Sequence, residues 1–591
     1  MNVLGSENFS LIADSPGGIQ KLRAMILQLA VTGKLVPHSS KEAPARDIIM
    51  AIQEEKTNNS QKKSFRPSSS RENDVRFDLP LGWELVDLGD LALLVTDGTH
   101  HTPTYVPSGI PFLSIKDISS GKLDFSNTKF ITEDEHNEIN SRCNPQENDI
   151  LLCRIGTLGK PVLVDVKTPF SIFVSVGLIK MPRSVQISRW VKLALSAPFL
   201  LEQYENIKAG GSHTNKLNLV DIPRLKIPLP PILEQKRIIA KVDELMGLCD
   251  LAERQDADAE AIHARLVQGL LSALLASGSD QEVFDSWARI NNNFDMLFST
   301  EDSIVHFKSS LIQLATMGKL GTQRENDEPA SSLIKQIRAR KTKLIDAGQL
   351  PKEKSLSDIT ETELPFKLPS RWAWARIGDL ALKTDYGISE KTFEMLEGVP
   401  VLKMGDIQNG SVILGGQKKT SVESVPTELY LKPNDLLYNR TNSAELVGKT
   451  GLFEGPVDKY TFASYLIRIR VAEDLVIPQY LNLAMNSPSF RETQINPQLK
   501  QQCGQANVNG TIMRNMLVPL PPTDEQRRIV VRIERLLALC NELEKLLQET
   551  SAFKETLSKA LIGKRFDISN GAQKVAEKNA VEDEDSEVLC I

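Results

Sequence analysis

The sequence predicts a mixed α/β chain of the α+β kind, in which two copies of one domain are separated by long helices. A block of prolines followed by Glu-Gln occurs twice, in residues 227–238 and 518–529, and the copies are 291 residues apart. After each block, apolar residues recur at steps of four and three, as in a helix with a heptad seam. Before each block, short apolar runs alternate with turns, which is typical of strands. These observations predict an internal repeat with a pseudo-two-fold relation between its halves.

The proline-rich block marks the border between a strand and a long helix. Each proline fixes its own φ and pushes the preceding residue toward extended geometry, so a helix can begin only after the last proline. We expect two helices of about 40 residues, each about 60 Å long, that form an antiparallel coiled-coil spacer; packing of each helix on its own domain is the alternative. The seams are Ile238, Val242, Leu245, Cys249 and Ala252 in the first helix and Ile529, Ile533, Leu536, Cys540, Leu543 and Leu547 in the second.

A second repeat places related helices at the start, the middle and the end of the chain. Residues 19–35 and 307–320 share an apolar helical face that ends in Gly-Lys-Leu, and residues 557–564 contain a fainter echo of it. A glycine after the last apolar residue is a helix stop signal. We therefore expect the N-terminal helix to pack where the C-terminal helix ends.

The repeats divide the chain into six parts, two of which are the repeated domains of about 150 residues. These domains open with Leu79-Pro-Leu-Gly-Trp83 and Leu368-Pro-Ser-Arg-Trp372. The predicted parts are an N-terminal helical segment with a linker (1–78), the first domain (79–231), a central long helix with a helical repeat (232–365), the second domain (366–522), a C-terminal long helix (523–566) and an acidic tail that we expect to be disordered (567–591).

The composition is that of a globular protein. The chain has 591 residues, of which 41% are hydrophobic and 25% are charged, and both values are ordinary for soluble domains. No apolar run approaches the 18 residues of a membrane span, and the start lacks the features of a signal peptide, which predicts a cytoplasmic protein. The six cysteines include no Cys-x-x-Cys pair. We expect free, mostly buried thiols and no zinc site.

The charge of the chain is unevenly distributed. The formal net charge is −6, but residues 577–587 alone contain six acids and one lysine, so the rest is close to neutral. Residues 151–230 contain eleven Lys and Arg against four acids, whereas residues 441–520 contain seven bases and six acids. A local basic excess can form a surface that faces phosphates. A merely solvated face is the alternative.

Three enzymatic interpretations find little support in the motifs. The two Asn-Pro pairs, at Asn144 and Asn496, are not followed by the Pro and aromatic residue that an amino-methyltransferase needs. The sequence before Gly448-Lys-Thr450 has Ser443 where a phosphate-binding loop needs its first glycine. The pair His100-His101 lacks a partner at ligand spacing. We therefore expect no catalytic residue and no metal in this chain.

Polar loops at matching places on the repeated frame favour DNA binding. Residues 96–105 and 208–216 combine glycines with hydroxyl, imidazole, amide and basic groups, which can contact base edges or phosphates. In the second domain, residues 384–391 and 501–509 occupy the corresponding places. An ordinary polar loop is the alternative for any single residue. The candidate contacts are Thr99, His100, His101, Thr102, Tyr105, Arg154, Lys160, Lys208, Ser212, His213, Asn215 and Lys216 in the first domain, and Tyr386, Ser389, Lys391, Asn439, Arg440, Asn442, Lys449, Gln505, Asn507 and Asn509 in the second.

Over nearly its whole length, the chain resembles the specificity subunits of type I restriction-modification systems. The resemblance is carried by two domains that open with the Leu-Pro-x-x-Trp motifs at 79–83 and 368–372 and close with Pro-Leu-Pro-Pro and Glu-Gln-x-Arg-Ile. Helical repeats separate these domains. Residues 16–23 and 27–30 also resemble one subgroup of such subunits.

The resemblance implies that each domain is a target-recognition domain that reads one half of a bipartite, asymmetric site on double-stranded DNA. Two modification (methyltransferase) subunits would methylate an adenine at N6 in each half, and restriction subunits would add translocation and cleavage. S-adenosylmethionine, ATP and Mg²⁺ are implied for those partners, whereas this chain would bind no cofactor and would be a non-catalytic subunit. We expect its contacts with the modification subunits in the helices of 10–56, 232–347 and 523–563.

Two other functions stay open at the level of the sequence. A stand-alone regulator with two DNA-reading domains would bind DNA tightly without partners. An S-adenosylmethionine-dependent enzyme with unfamiliar motifs would bind that cofactor as a purified chain. DNA binding without partners and cofactor binding by the lone chain distinguish these functions from a specificity subunit.

Overall fold

Two units make up the chain in the computed structural model, which describes residues 12–566 except 14, 59–77, 157, 210–214, 321, 353–355, 395–396, 500 and 503–504. The first unit extends to Ala259 and also contains the chain from Thr550 onward, and the second comprises Glu260–Glu549. The acidic tail lies outside the described residues, as does the polar linker 59–77. In the described ranges, no helix is long and apolar enough to cross a membrane.

The first unit combines helices and short strands. Its helices are α1 (Gly18–Val31), α2 (Ala45–Asn58), α3 (Leu88–Leu91), α4 (Glu133–Asn140), α5 (Ser188–Leu195), α6 (Pro198–Ile207) and the first part of α7 (Ile232–Ala276). Its strands are β1 (Glu84–Asp87), β2 (Leu94–Asp97), β3 (Ile110–Leu113), β4 (Lys129–Ile131), β5 (Ile150–Cys153), β6 (Pro161–Leu163), β7 (Ser171–Ile172), β8 (Val176–Lys180), β9 (Lys208–Ala209), β10 (Lys216–Leu217) and β11 (Lys226–Leu229).

Two sheets form the body of the first domain. The larger is antiparallel with the order β2-β8-β5-β6, and the smaller has the order β4-β3-β7 with β3 and β7 parallel. The central strand β5 is buried at every position, as its uninterrupted apolar sequence predicts. Asn148 precedes it with φ of 71°, a left-handed conformation that asparagine tolerates better than most residues. This turn delivers Asp149 to a fully buried position at the start of the strand.

The opening motif and the proline-rich block meet in the core of the first domain. The rings of Trp83 and Trp190 pack edge to face with their centroids 5.8 Å apart. The indole Nε1 of Trp190 donates a hydrogen bond of 2.9 Å to the carbonyl of Pro228. The proline has no N–H of its own, but its carbonyl is in this way satisfied inside the core. The strand that contains the prolines, β11, pairs with β1 at the other end of the domain's sequence.

The second unit contains the same kinds of elements. Its helices are the rest of α7, α8 (Asp280–Asn292), α9 (Phe294–Leu297), α10 (Glu301–Thr316), α11 (Ala330–Asp346), α12 (Ile377–Leu380), α13 (Pro478–Met485), α14 (Pro488–Phe490), α15 (Gly510–Asn515) and most of α16 (Thr523–Phe566). Its strands are β12 (Ala373–Arg376), β13 (Ala381–Tyr386), β14 (Val399–Leu402), β15 (Ile407–Gln408), β16 (Ser411–Val412), β17 (Lys419–Thr420), β18 (Leu436–Asn439), β19 (Thr441–Asn442), β20 (Thr450–Leu452), β21 (Thr461–Phe462), β22 (Leu466–Val471), β23 (Gln501–Gln502), β24 (Gln505–Asn507) and β25 (Leu517–Leu520).

The second domain repeats the sheets of the first and extends them. The order β13-β22-β18-β20 matches that of the larger sheet, and β16 and β15 lengthen it to six strands. The order β17-β14-β21 matches the smaller sheet, and β12 pairs with β25 as β1 does with β11. Asn434, with φ of 72°, takes the place of Asn148 before the central strand. The predicted internal repeat of two mixed α/β domains is therefore confirmed.

The core contacts of the second domain also match. Trp372 packs edge to face on Tyr480, with ring centroids 6.4 Å apart. The hydroxyl of Tyr480 donates a 2.8 Å hydrogen bond to the carbonyl of Pro519. Different aromatic residues thus hold the same proline carbonyl in the two copies. The glutamine of each Glu-Gln pair is buried, and the side-chain amide of Gln526 donates to the carbonyl of Pro521 at 2.9 Å.

The two long helices have 45 and 44 residues. In the first unit, the seam residues Ile238, Val242 and Cys249 of α7 are buried in a core against which Ile562, near the end of α16, packs. In the second unit, the end of α7 shares a core with the seam at the beginning of α16. The seams are thus the buried faces of the helices, as predicted. In each unit, the beginning of one long helix packs in the same core as the end of the other. The same cores include domain residues, so each helix also packs on its own domain.

In both units, a lysine of the helix that precedes the domain donates hydrogen bonds to backbone carbonyls of the domain. The ammonium group of Lys56 on α2 donates to the carbonyls of Gly89 and Asp90 at 2.7 and 2.9 Å. The equivalent Lys341 on α11 donates to the carbonyls of Gly378 and Ala381. In each case a cation satisfies carbonyls at the end of a short helix, where the helix dipole favours positive charge.

Candidate nucleic-acid interface

Some of the candidate residues lie together at the end of the central strand in each domain. Arg154 directly follows β5, and its carbonyl accepts a 2.8 Å hydrogen bond from the amide of Leu217 at the end of the β9–β10 hairpin. In the second domain, the carbonyl of Arg440 after β18 accepts from the amide of Val508 at the same distance. Segments that are about 60 residues apart in the sequence thus lie side by side in both domains.

The outer strand of the same sheet, β2 or β13, also ends at an equivalent residue in each domain. Asp97 lies opposite Gly177 in the first domain, and Tyr386 lies opposite Ile467 in the second. Their partners Gly177 and Ile467 lie in turn opposite Leu152 and Tyr438, two positions before the arginine. At this position of the outer strand, the first domain has an aspartate and the second has a tyrosine.

Arg154 is an internal residue of the first domain. Its guanidinium group forms an ion pair with Asp97 and donates to the carbonyls of Val174 and Leu217 at 3.1 and 3.3 Å. Only 4% of Arg154 is exposed, and a Cβ on Gly177 would lie 3.1 Å from the Cδ of Arg154, so the glycine leaves room for it. The side chain is not on the surface, where the sequence places a base contact, because a buried carboxylate binds it inside the domain.

The loop after β2 presents its polar groups to solvent. His100, His101, Thr102 and Tyr105 are exposed, whereas Thr99 is buried and forms a bridge with Phe173. The imidazole of His100 lies 3.2 Å from the carboxylate of Asp97. The exposed part of this loop therefore has imidazole, hydroxyl and phenol groups available for a ligand.

Two basic residues that the sequence analysis did not select support this loop. Arg142 donates to the carboxylate of Asp97 at 3.2 Å, to its carbonyl at 2.9 Å and to the carbonyl of Gly98. The ammonium group of Lys129 lies 4.1 Å from the ring centroid of Tyr105, a cation–π contact. Neither residue has a local sequence signal, because both reach the loop from distant segments. A basic residue near a candidate loop is visible only once the strands are placed.

The hairpin of the first domain contributes a further basic edge. Lys216 is exposed, Asn215 is half-buried and its carbonyl accepts from the amide of Gly156, and Lys208 pairs with Glu205. Lys160 is half-buried beside the same strand end. Ser212 and His213 lie outside the described residues.

Most of the basic excess in residues 151–230 is neutralised by ion pairs. Lys180 and Arg183 pair with Asp149, Lys226 pairs with Asp87, and Arg189 pairs with Asp243. Several of these acids lie outside the segment, so the count of charges within it overstates the free positive charge. The surface is therefore less basic than the sequence count indicates.

The second domain forms a more open cluster at the same place. The Nε of Arg440 donates to the carbonyl of Ser464 at 2.8 Å, and Nη1 donates to the side-chain oxygen of Asn507 at 3.3 Å. The guanidinium carbon lies 5.1 Å from the centroid of the Tyr386 ring. The oxygen of Asn507 also accepts from the hydroxyl of Thr441. This cluster brings together three of the predicted residues.

The other candidates of the second domain lie in different environments. Ser389, Lys391 and Lys449 are exposed, and Asn442 is half-buried. Asn439 is buried, since it belongs to the central strand, and Asn509 caps helix α15 by accepting from the amide of Ile512. The backbone of Gln505 lies in β24, and its side chain is outside the description. Asn439 and Asn509 thus have structural partners that the sequence alone did not indicate.

The cysteines are free and buried where the structure describes them. Cys143, Cys153, Cys249 and Cys540 are all buried thiols, as expected. Burial raises the pKa of Cys143 to about 12 and that of Cys153 to about 11. Among the described residues, no group of three or more His, Cys, Asp and Glu side chains has the geometry of a metal site.

One serine–histidine pair has hydrogen-bonding geometry. The Nδ1 of His136 lies 2.8 Å from the hydroxyl of Ser171, and Nε2 lies 2.7 Å from the amide of Asn140. Ser171 is fully buried and His136 nearly so, and burial lowers the pKa of the imidazole. A nucleophile needs access to its substrate, so this pair is a structural contact between α4 and β7.

Comparison with known proteins defines the class. The family model of the type I restriction modification DNA specificity domain matches this chain twice, over residues 80–261 and 369–550. The chain belongs to this family, and it contains two copies of its domain.

Individual relatives come from the same class. The chain is 30% identical to the EcoEI specificity subunit and 29% identical to the EcoAI specificity subunit, both type I restriction enzymes of Escherichia coli. Both alignments cover 92% of this chain and 93% of the relative. The crystal structure of the HsdS subunit from Thermoanaerobacter tengcongensis is 18% identical and covers 83% of this chain and 98% of that one, with a TM-score of 0.40. The family assignment rests on the sequence matches.

Proposed function

We propose that this chain is the non-catalytic DNA-recognition subunit of a type I restriction-modification complex. Each of its two domains reads one half of a bipartite, asymmetric site on double-stranded DNA. The observation that carries the proposal is a shared frame with different groups at the same place. The strand orders of the first domain's two main sheets recur in the second domain, whereas the buried pair of Asp97 and Arg154 is replaced by Tyr386 and Arg440 at the surface. Two domains that share a fold but present different contact groups recognise two different half-sites.

The long helices set the distance between the half-sites in this proposal. Half-site spacing follows from the geometry of the protein that presents the readers. Helices of 45 and 44 residues are each about 65 Å long at 1.5 Å per residue. A change in their length is thus expected to change the spacer in the DNA site.

A duplicated apolar surface supports the binding of two identical partner subunits. Both long helices expose apolar side chains at positions 291 residues apart, in addition to their buried seams. Single exposed apolar side chains are ordinary, but contiguous ones mark sites of protein association, and residues four apart on a helix are neighbours on its surface. The pairs are Leu248 with Leu539, Ile262 with Phe553, and Leu266 with Leu557. Each unit contains a segment of α7 and a segment of α16, and both segments expose such residues. This arrangement fits the binding of one modification subunit to each unit.

The chemistry belongs to the partners in this proposal. Methylation of adenine N6 requires a base flipped out of the duplex, and the modification subunits would supply the S-adenosylmethionine site. Restriction subunits would supply the sites for ATP and Mg²⁺. This chain binds no cofactor and selects the adenines by placing the DNA.

The experiment compares methylation in host DNA with and without this chain. The chain is coexpressed with its neighbouring gene products, copurified with them, and methylated adenines are mapped across the genome. We expect one bipartite motif, methylated in both halves, that disappears when the chain is deleted. Tight, sequence-specific DNA binding by the lone chain, without any change in methylation, would instead support the stand-alone regulator. Methylation by the purified chain with S-adenosylmethionine alone would show that it is itself an enzyme.

A further inference from the structure

The surface cluster of the second domain holds one arginine in a fixed orientation. Arg440 is anchored through Nε to the carbonyl of Ser464, and its guanidinium plane is supported by the ring of Tyr386. Such anchoring matters because a free arginine side chain loses rotamer entropy when a ligand immobilises it. These two contacts hold the Arg440 side chain before any ligand binds.

The tyrosine that supports this arginine is itself held. The hydroxyl of Tyr386 accepts a 2.7 Å hydrogen bond from the amide of Gly510. A Cβ on Gly510 would lie 2.8 Å from that hydroxyl, so any larger residue would displace the ring from this position. Tyr386 is nevertheless 46% exposed. The ring thus forms a fixed platform at the surface.

The outer end of Arg440 is available to a ligand. Within the described part of the chain, no carboxylate pairs with Arg440, and Nη2 has no hydrogen-bond partner, while Nη1 makes one exposed bond to Asn507. The equivalent Arg154 has its charge neutralised by a buried aspartate. The charge and the terminal N–H groups of Arg440 are therefore free to meet acceptors.

We propose that Arg440 reads a guanine in the half-site of the second domain, and that Arg154 reads no base in the first. This inference rests on the proposed function. Two acceptors on the major-groove edge of guanine, O6 and N7, match the fork of an arginine, and this is the commonest specific contact between proteins and DNA. A phosphate contact uses the same charge, but it does not need the platform that fixes the orientation of the guanidinium plane.

The inference is tested with the complete methyltransferase complex. Binding is measured on duplexes in which each guanine of the half-site assigned to the second domain is replaced in turn by 7-deazaguanine, which lacks the N7 acceptor and keeps base pairing. We expect one position at which the wild-type complex loses about 5- to 100-fold in affinity. With Arg440→Ala, the same replacement at that position should have no further effect.

Methylome mapping of variants provides the second measurement. Arg440→Lys retains the charge but lacks the planar fork, so we expect the motif to become degenerate at that one position while the other half-site stays unchanged. The matched control is Lys449→Ala, which removes an exposed charge in the same domain and should weaken methylation without changing the motif.

Distinct results overturn the inference and the proposed function. A half-site of the second domain without guanine, or full discrimination by both Arg440 variants, overturns the inference. Equal weakening on every sequence by Arg440→Ala identifies a phosphate contact and overturns it as well. The absence of any bipartite motif when the wild-type chain is present, or persistence of the motif without this chain, would refute the proposed function.

Discussion

The two domains use one arginine position in opposite ways. In the first domain Asp97 binds Arg154 inside the protein, whereas in the second Tyr386 supports Arg440 at the surface. The strand orders of the first domain's two main sheets recur in the second domain, and the hydrogen bond from the hairpin to the arginine carbonyl is the same. The comparison teaches that the two arginines differ in their partner at one position of the outer strand: an aspartate there binds Arg154 inside its domain, and a tyrosine there supports Arg440 at the surface.

The largest expected effect is the loss of the buried ion pair. Asp97→Asn leaves the guanidinium of Arg154 in the interior without its carboxylate, and an unpaired buried charge costs about 3–5 kcal/mol. We expect the unfolding free energy of the first domain, measured by urea titration of the full chain, to fall by this amount. Tyr386→Ala should cost the second domain less, about 1–3 kcal/mol, because it removes an exposed cation–π contact and the acceptor of the Gly510 amide.

A double variant separates the charge from the packing in this comparison. Replacement of both Asp97 and Arg154 by leucine removes the pair without leaving a charge, so it should cost less than Asp97→Asn alone. If Asp97→Asn lowers the unfolding free energy no more than Tyr386→Ala does, the assignment of Arg154 as an internal residue is contradicted.

The shared frame predicts equivalent roles for two different aromatic residues. Trp190→Phe removes a buried donor from the carbonyl of Pro228 and leaves a cavity, with an expected cost of about 2–4 kcal/mol in unfolding free energy. Tyr480→Phe removes only the donor to Pro519 and should cost about 1–3 kcal/mol. Calorimetry of the full chain measures both. Unchanged stability in both variants would show that these contacts do not hold the proline-rich blocks.

A buried carboxylate gives the second unit a specific pH dependence. Burial raises the pKa of Glu525 above its ordinary value of 4.5, although Trp372 and Thr322 donate to its oxygens at 2.9 and 3.0 Å. A raised folded-state pKa means that the folded state binds the proton more tightly. The contribution of this group to stability is therefore greatest at low pH and declines as the pH rises through 4.5 and above.

The matched variants for this effect are Glu525→Gln and Glu234→Gln. We expect Glu525→Gln to remove part of the decline in unfolding free energy with rising pH, because glutamine does not titrate. Glu234 holds the equivalent position in the first unit and binds His38 at 2.7 Å, so its variant controls for the loss of one carboxylate. An unchanged pH profile for Glu525→Gln would contradict the prediction.

The smallest effect compares two lysines at equivalent places. Lys160 and Lys449 both follow the central strand, and Lys449 is the more exposed. If each contacts a phosphate, Lys160→Ala and Lys449→Ala should lower the salt dependence of DNA binding by about one unit of slope each, without changing the sequence preference. Titrations at several salt concentrations measure this. A change in preference would instead identify a base contact.

The sequence predicts the frame of this chain far better than its contacts. The repeat, the seams and the strand before each proline-rich block follow from local patterns, because each is set by residues close together in the chain. The burial of the Arg154 side chain is not predictable in this way, since it depends on an ion pair with Asp97, 57 residues away. Asn439 and Asn509 illustrate the same limit, because burial and helix capping are settled by the surrounding structure. Arg142 reaches its loop from 45 residues away and was missed for the same reason.

The most direct test of the account exchanges one domain and maps methylation. Residues 79–231 are replaced by the corresponding domain of a related specificity subunit that recognises a different site, and methylated adenines are mapped in a host that carries the modification subunits. The account predicts a new hybrid motif, in which one half-site changes while the other half-site and the spacer length are retained. A change in both half-sites, or in neither, would contradict the claim that each domain reads its own half.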